Sequence, residues 1–264
     1  MEQRAVTVGG QVLSYVDFGG PGPSLVALHG SFGRGSVFAR LAADLGDRAR
    51  VIAPDQRGHG LSPSAGGFGR DEFVSDAVAF LERWGPVVLL GHSLGGITAF
   101  QVAARRPDLV RALVIEDVGP ELCAPRVPAP VLDVRGWPRS ALTREALEEA
   151  ILTKGIPDAS YFLHSAVPDA HGWRFLFDWE QMMAVQQGGV GRWWSDWTAT
   201  RCPTLVLRGG RSPLFPAEVA AEMLSRPDTR LVEFPTAGHW IHDDEPTAVA
   251  HAVAEFLAEE PHWP

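Results

Sequence analysis

Long apolar runs are missing from this chain. No stretch approaches the ~20 residues that a helix needs to cross a bilayer, and the opening Met1-Glu-Gln-Arg-Ala-Val-Thr-Val-Gly9 has no apolar signal segment. A cytoplasmic protein is the expectation. Cysteine is scarce: Cys123 and Cys202 cannot make a disulfide framework, and a bridge between them is not expected where thiols stay reduced. Positive charge is in deficit. A formal net charge of −9 argues against nucleic acid or an anionic membrane as partner. No Gly-x-Gly-x-x-Gly follows an apolar run, so no dinucleotide site is indicated. No histidine or cysteine spacing suggests a metal, and no cofactor is expected. Repeats and low-complexity tracts are also absent.

What remains is an ordinary globular composition. At 264 residues and 45% hydrophobic content, the chain can bury one large core, with or without an insertion. Short apolar runs at Ala5–Val8, Val12–Phe18, Ser24–Leu28, Arg50–Ala53, Val87–Leu90, Ala112–Ile115, Thr204–Leu207 and Arg230–Glu233 read as strands. Several are continuous in Val, Leu and Ile, as in strands buried on both faces. The first two, joined at Gly9-Gly10, look like an antiparallel hairpin. Helix-like segments alternate with the strands, at Val37–Leu45, Arg70–Trp84, Ile97–Arg105, Pro216–Leu224 and Thr247–Glu259. The pattern predicts an α/β fold: a mostly parallel eight-stranded sheet with helices on both faces.

The alternation breaks between residues 120 and 200. Prolines crowd the start of this stretch, Thr143 is placed to cap a helix through Leu152, and six of nine tryptophans lie here. A mostly helical cap inserted after the sixth strand is the expectation, with the core formed by 1–119 and 201–264. Its tryptophans are read mainly as a small cap core, with one or two left to line an apolar pocket.

Chemistry enters at Gly91-His-Ser93-Leu-Gly-Gly96, between the run Val87–Leu90 and a helix. A strand, a sharp Gly-x-Ser-x-Gly turn and a helix make a nucleophile elbow. A serine hydroxyl needs a base and a group that orients the base. His239, in Thr236-Ala-Gly-His239-Trp, falls between the last strand and the last helix, at the same sheet edge as Ser93. The orienting acid should follow the sixth or the seventh strand. After the seventh comes Arg208-Gly-Gly-Arg-Ser212-Pro, with no carboxylate before Glu218; after the sixth comes Glu116-Asp117. Asp117 is the choice, with Glu116 as its rival. Asp243 and Asp244 are assigned to capping the final helix, with Pro246 in its first turn.

A developing oxyanion needs two backbone N–H donors. Leu94 should supply one, and the loop His29-Gly-Ser31-Phe32-Gly33 the other, through Ser31 in preference to Phe32. Phe32, His92 and Trp240 flank these positions and are candidates for contact with substrate, although His92 could instead pack beneath the elbow. In Asp55-Gln-Arg57-Gly-His59-Gly60, Asp55 and Arg57 could pair to brace the loop, and His59 is read as structural.

Together, His-Gly-Ser-Phe-Gly (29–33), Asp-Gln-Arg-Gly-His-Gly (55–60), Gly-His-Ser-Leu-Gly-Gly (91–96) and Gly-His239 resemble the α/β-hydrolase superfamily across essentially the whole chain. The resemblance implies Ser93 as nucleophile, His239 as base, and Leu94 and Ser31 as oxyanion amides. Ser212 stands where many relatives carry the triad aspartate. The stretch around it is similar to an esterase-like subgroup whose acid follows the sixth strand, in favour of Asp117. Dehalogenase- and epoxide-hydrolase-like members would need aspartate at Ser93, and iminopeptidase-like members His-Gly-Gly-Pro-Gly at 29–33. The expectation is a serine hydrolase acting on a small ester, lactone or thioester with an apolar or aromatic part. Lyases, acyltransferases, carbon–carbon bond hydrolases and cofactor-free dioxygenases of the same fold, and a small-molecule receptor, are the alternatives.

Overall fold

The computed structural model describes residues 1–63 and 66–259. Its strands in chain order are β1 (Glu2–Val8), β2 (Gln11–Gly19), β3 (Ser24–Leu28), β4 (Arg50–Pro54), β5 (Val87–His92), β6 (Val110–Glu116), β7 (Glu121–Leu122), β8 (Ser140–Ala141), β9 (Ala166–Asp169), β10 (Gly172–Phe175), β11 (Gly191–Arg192), β12 (Thr204–Gly209) and β13 (Thr229–Phe234). The helices are α1 (Ala39–Leu45), α2 (Arg70–Leu81), α3 (Leu94–Arg105), α4 (Arg144–Leu152), α5 (Ser160–Leu163), α6 (Trp179–Gly189), α7 (Trp194–Ala199), α8 (Ala217–Met223), α9 (Ile241–Asp244) and α10 (Pro246–Glu259).

Eight strands form one sheet in the order β1-β2-β4-β3-β5-β6-β12-β13. The β1–β2 and β2–β4 pairs are antiparallel and the other five are parallel. This is the sheet the sequence predicted, strand for strand. Side chains alternate between its faces. Leu25, Ala27, Val88 and Leu90 join one core with α1 and α10; Val26, Leu28, Val87 and Leu89 join the other with α3 and α8. Burial on both faces explains why these strands read as unbroken aliphatic runs. The parallel strands share one direction, so the loops after β3, β5, β6, β12 and β13 all open on one edge.

The segment between β6 and β12 differs from the mostly helical expectation. Thr143 does cap α4, its side chain accepting from the Ala146 amide at 3.1 Å. Between the helices, however, lie a three-stranded sheet, β8-β10-β9, and the small β11-β7 pair. These strands are only two to four residues long, too short to leave a period in the sequence. Trp137, Trp179 and Trp197 are buried in the cores. Cys123 and Cys202 are free thiols, and no described helix is long and apolar enough to cross a membrane.

Two local expectations are corrected. Asp55 and Arg57 do not pair: Asp55 accepts from the amides of Gly35 (2.7 Å) and Leu61 (2.8 Å). Arg57 instead reaches Asp76 of α2 at 2.7 Å and the carbonyls of Gly66 and Gly67. Nor does Asp244 cap α10, although Pro246 does open that helix; its carboxylate accepts from the Gly238 amide at 2.7 Å.

The Arg57–Asp76 pair is buried on both sides. Removing one member strands a buried charge, which costs about 3–5 kcal/mol. Asp76→Ala is therefore expected to lose that much stability in urea unfolding; a loss below about 1 kcal/mol would contradict the pairing.

Candidate active site

The elbow is a strained turn held by its neighbours. Ser93 sits between β5 and α3 at φ 52°, ψ −116°, a conformation that costs a side-chain-bearing residue about 1–3 kcal/mol. Its N–H donates to the Glu116 carbonyl at 3.0 Å, and its carbonyl accepts from Gly96 and Ile97. A Cβ at Gly91 would lie 2.3 Å from the Gly95 carbonyl oxygen, and one at Gly95 would lie 2.1 Å from that of Leu28. Only glycine lets the helix come this close to the strands. The helix begins at Leu94, one turn before the expected Ile97, because the elbow itself supplies the first turn.

Ser93, His239 and Asp117 meet at this edge. His239 Nε2 lies 3.0 Å from Ser93 Oγ, and His239 Nδ1 lies 2.7 Å from Asp117 Oδ2. A carboxylate can only accept, so this contact selects the tautomer with the proton on Nδ1 and leaves Nε2 as an acceptor for the hydroxyl. Asp117 is fully buried, and its other oxygen accepts from the Gly209 amide at 2.8 Å. Burial pushes its carboxyl above the usual range, against the pull of His239, Ser212 and Gly209. Ser212 thus hydrogen-bonds the acid that follows the sixth strand. Asp117, like Ser93, has a positive φ, 49°.

The rival acid has a partner of its own. Glu116 Oε1 lies 2.6 Å from His242 Nδ1 and accepts from the His242 amide at 3.0 Å. Burial opposes a charged His242, but Glu116, with Asp243 and Asp244 nearby, pushes the imidazole up to about 9. His92 does not line the cleft. It is fully buried under the elbow, with Nε2 2.9 Å from the His239 carbonyl. Donor atoms of His92, Glu116 and His242 lie within 4.8 Å of one another, but they are not spaced for a cation. The 2.6 Å His242–Glu116 contact is a hydrogen bond; two ligands on one tetrahedral zinc stand about 3.4 Å apart.

The loop after β3 is fastened from two sides. His29 is buried, and its Nε2 accepts from the Gln56 amide at 3.0 Å while its Nδ1 lies 2.7 Å from the Gly30 carbonyl. Burial lowers His29 to about 4, so it stays neutral. From the insert, the Tyr161 hydroxyl accepts from the Gly30 amide at 2.9 Å, and Ser165 donates to the Phe32 carbonyl at 2.7 Å. A Cβ on Gly33 would sit 2.3 Å from that hydroxyl. Phe32 is held at φ 71°. Neither the Ser31 nor the Phe32 amide has an acceptor among the described residues, and Leu94, as the first residue of α3, has no helical carbonyl behind it. Sequence reasoning missed Tyr161, Ser165 and His242. Each acts across a long stretch of chain and leaves no local motif.

A cavity of about 810 Å³ opens on the serine, lined by Ser31, Phe32, Ser93, Leu94, His239 and Trp240. The insert contributes Leu122, Val131, Leu132, Ile156 and Val185, so the wall is largely apolar. Of the charged groups, Asp158, Asp244 and Glu245 outnumber Arg211. None of the six tryptophans of residues 120–200 lines this cavity. Trp240 does, stacked on Tyr161 with ring centroids 5.5 Å apart.

Residues 25–252 match the alpha/beta hydrolase family. The sequence is 31% identical to the sn-1-specific diacylglycerol lipase of Mus musculus, covering 89% of this chain and 81% of that one. It is 32% identical to Lipase LipV of Mycobacterium tuberculosis, covering 91% and 95%. Among solved structures, E-2-(acetamidomethylene)succinate hydrolase superimposes with a TM-score of 0.88 at 28% identity, covering 97% and 99%.

The Glu116–His242 pair predicts a pH effect on stability. His242 is raised from 6.5 to about 9 on folding. Its contribution is therefore complete below the unfolded value of 6.5 and is lost as pH rises through about 9. Urea unfolding should show roughly 3 kcal/mol fading across that window, and Glu116→Gln should abolish the fade. A wild type and variant with parallel profiles would contradict the pairing.

Proposed function

The chain belongs to the alpha/beta hydrolase family, and from that premise we propose a serine hydrolase that cleaves a small ester, lactone or thioester through an acyl-enzyme on Ser93. The observation that carries this reading is the run of contacts from Ser93 Oγ to His239 (3.0 Å) and from His239 to Asp117 (2.7 Å), opening into a largely apolar cavity.

His239 takes the hydroxyl proton as Ser93 attacks the carbonyl. Asp117 keeps the imidazole in the accepting tautomer and stabilises the imidazolium that forms. The amides of Leu94 and Ser31 face the developing oxyanion. The leaving group departs with the proton from His239, and water, activated by the same imidazole, cleaves the acyl-enzyme. Both amides are oriented before substrate arrives: Tyr161, Ser165 and Gln56 fix the loop that carries Ser31, and the elbow fixes Leu94 at the start of α3. That spares the reorganisation a flexible site would need.

Residues 120–200 act as a cap that closes the cavity over the nucleophile. Phe32 and Trp240 contact the substrate. The aliphatic wall favours an apolar or aromatic part. The excess of acids over Arg211 favours neutral esters over polycarboxylates. Names among the relatives, diacylglycerol lipase and lipase, are in keeping with an apolar acyl group.

Ser93→Ala should abolish hydrolysis of a chromogenic butyryl ester while retaining the wild-type melting temperature. Asp117→Asn should lose about 10⁴-fold in kcat and far more than Glu116→Gln. Undiminished turnover by Ser93→Ala would remove the serine from the mechanism, and the reverse ranking of the acids would move the orienting role to Glu116.

A further inference from the structure

We propose that Glu116, acting through His242 and alongside His92, is a positioning residue for His239. The inference rests on the hydrolase reading above and extends its machinery. Glu116 and Asp117 are consecutive at the end of β6, yet each takes a histidine from the segment after β13, His239 before α9 and His242 within it, three residues apart. Asp117 holds the His239 ring directly. Glu116 holds His242, through both its backbone N–H and its ring nitrogen. The chain from His239 to His242 is therefore pinned at both ends to one strand terminus.

Two further contacts complete the arrangement. The His239 carbonyl faces His92 Nε2 at 2.9 Å. A carbonyl can only accept, so His92 must carry its proton on Nε2. The Glu116 carbonyl accepts from the Ser93 amide at 3.0 Å. One residue thus fixes the nucleophile through its backbone and the base through its side chain, and His92, adjacent to Ser93, closes the circuit. Glu116, His92 and His242 are all buried, and none of them lines the cavity. Their role is to fix the distance between Ser93 Oγ and His239 Nε2 without touching substrate. A misplacement of about 1 Å in such a pair can cost about 100-fold in rate.

The test uses the full chain as wild type, Ser93→Ala, Glu116→Gln, His242→Gln and the Glu116→Gln/His242→Gln double variant. Melting temperature is measured by circular dichroism, and kcat and KM for a butyryl ester well below the lowest melting point. Glu116→Gln is expected to lower kcat by about 10- to 100-fold with KM within about twofold, because the cavity wall is untouched. His242→Gln should do the same, and the double variant should lose no more than the worse single, since the two act as one unit. Should Glu116→Gln not fold, Glu116→Asp keeps the charge but shortens the reach and should show the same split. Wild-type kcat in a folded Glu116 variant would overturn the proposal, as would additive losses or a loss confined to KM. Ser93-independent turnover would instead overturn the hydrolase reading and this inference with it. A Ser93-dependent wild type with unaffected Glu116 variants would overturn only the inference.

Discussion

A serine forced into a left-handed backbone conformation is the constraint on which the molecule is organised. Ser93 can stay at φ 52° only because β5 and α3 are pressed together through glycines and because β6 offers its amide a carbonyl. That closeness requires strands buried on both sides, which in turn requires helices on both faces. The aliphatic composition of the central strands, the placing of α3 and the exposure of one hydroxyl are consequences of a single geometric demand. The strain is local, and the surrounding sheet overdetermines it.

The second organising feature is the doubling of acid–histidine contacts at the end of β6. The strand ends at Glu116 and the backbone turns at Asp117, φ 49°, so the two carboxylates are aimed at different partners. The chain uses each. Asp117 meets the His239 imidazole beside Ser93, and Glu116 meets His242 three residues further along. The insert completes the scheme from above: Tyr161 and Ser165 fasten the loop that carries Ser31 and Phe32. Residues from four separate stretches of chain thus converge on one hydroxyl.

How far this was legible in the sequence depended on distance along the chain. The sheet was readable because strand burial leaves a continuous aliphatic signal, and the elbow because steric demand forces glycine at fixed offsets from Ser93. His239 was readable from its place between the last strand and helix. The choice between Glu116 and Asp117 was not forced by pattern; the backbone turn at Asp117 decides it. The partners of Arg57, Asp244, Glu116 and the Gly30 amide were not readable, because each lies far along the chain or across a loop. His92 had two readings, cleft contact or packing beneath the elbow, because adjacency to Ser93 in sequence says nothing of which face it takes. The short strands of the insert escaped notice because two to four residues carry no period.

The central claim is that Ser93 carries a covalent acyl group during turnover. Intact-mass spectrometry after brief exposure to a slowly turned-over activated ester, followed by peptide mapping, examines this most directly. One acyl mass added per chain, on the peptide containing Ser93, is the predicted result. Product release with no adduct at any time, or an adduct on another residue, would contradict it.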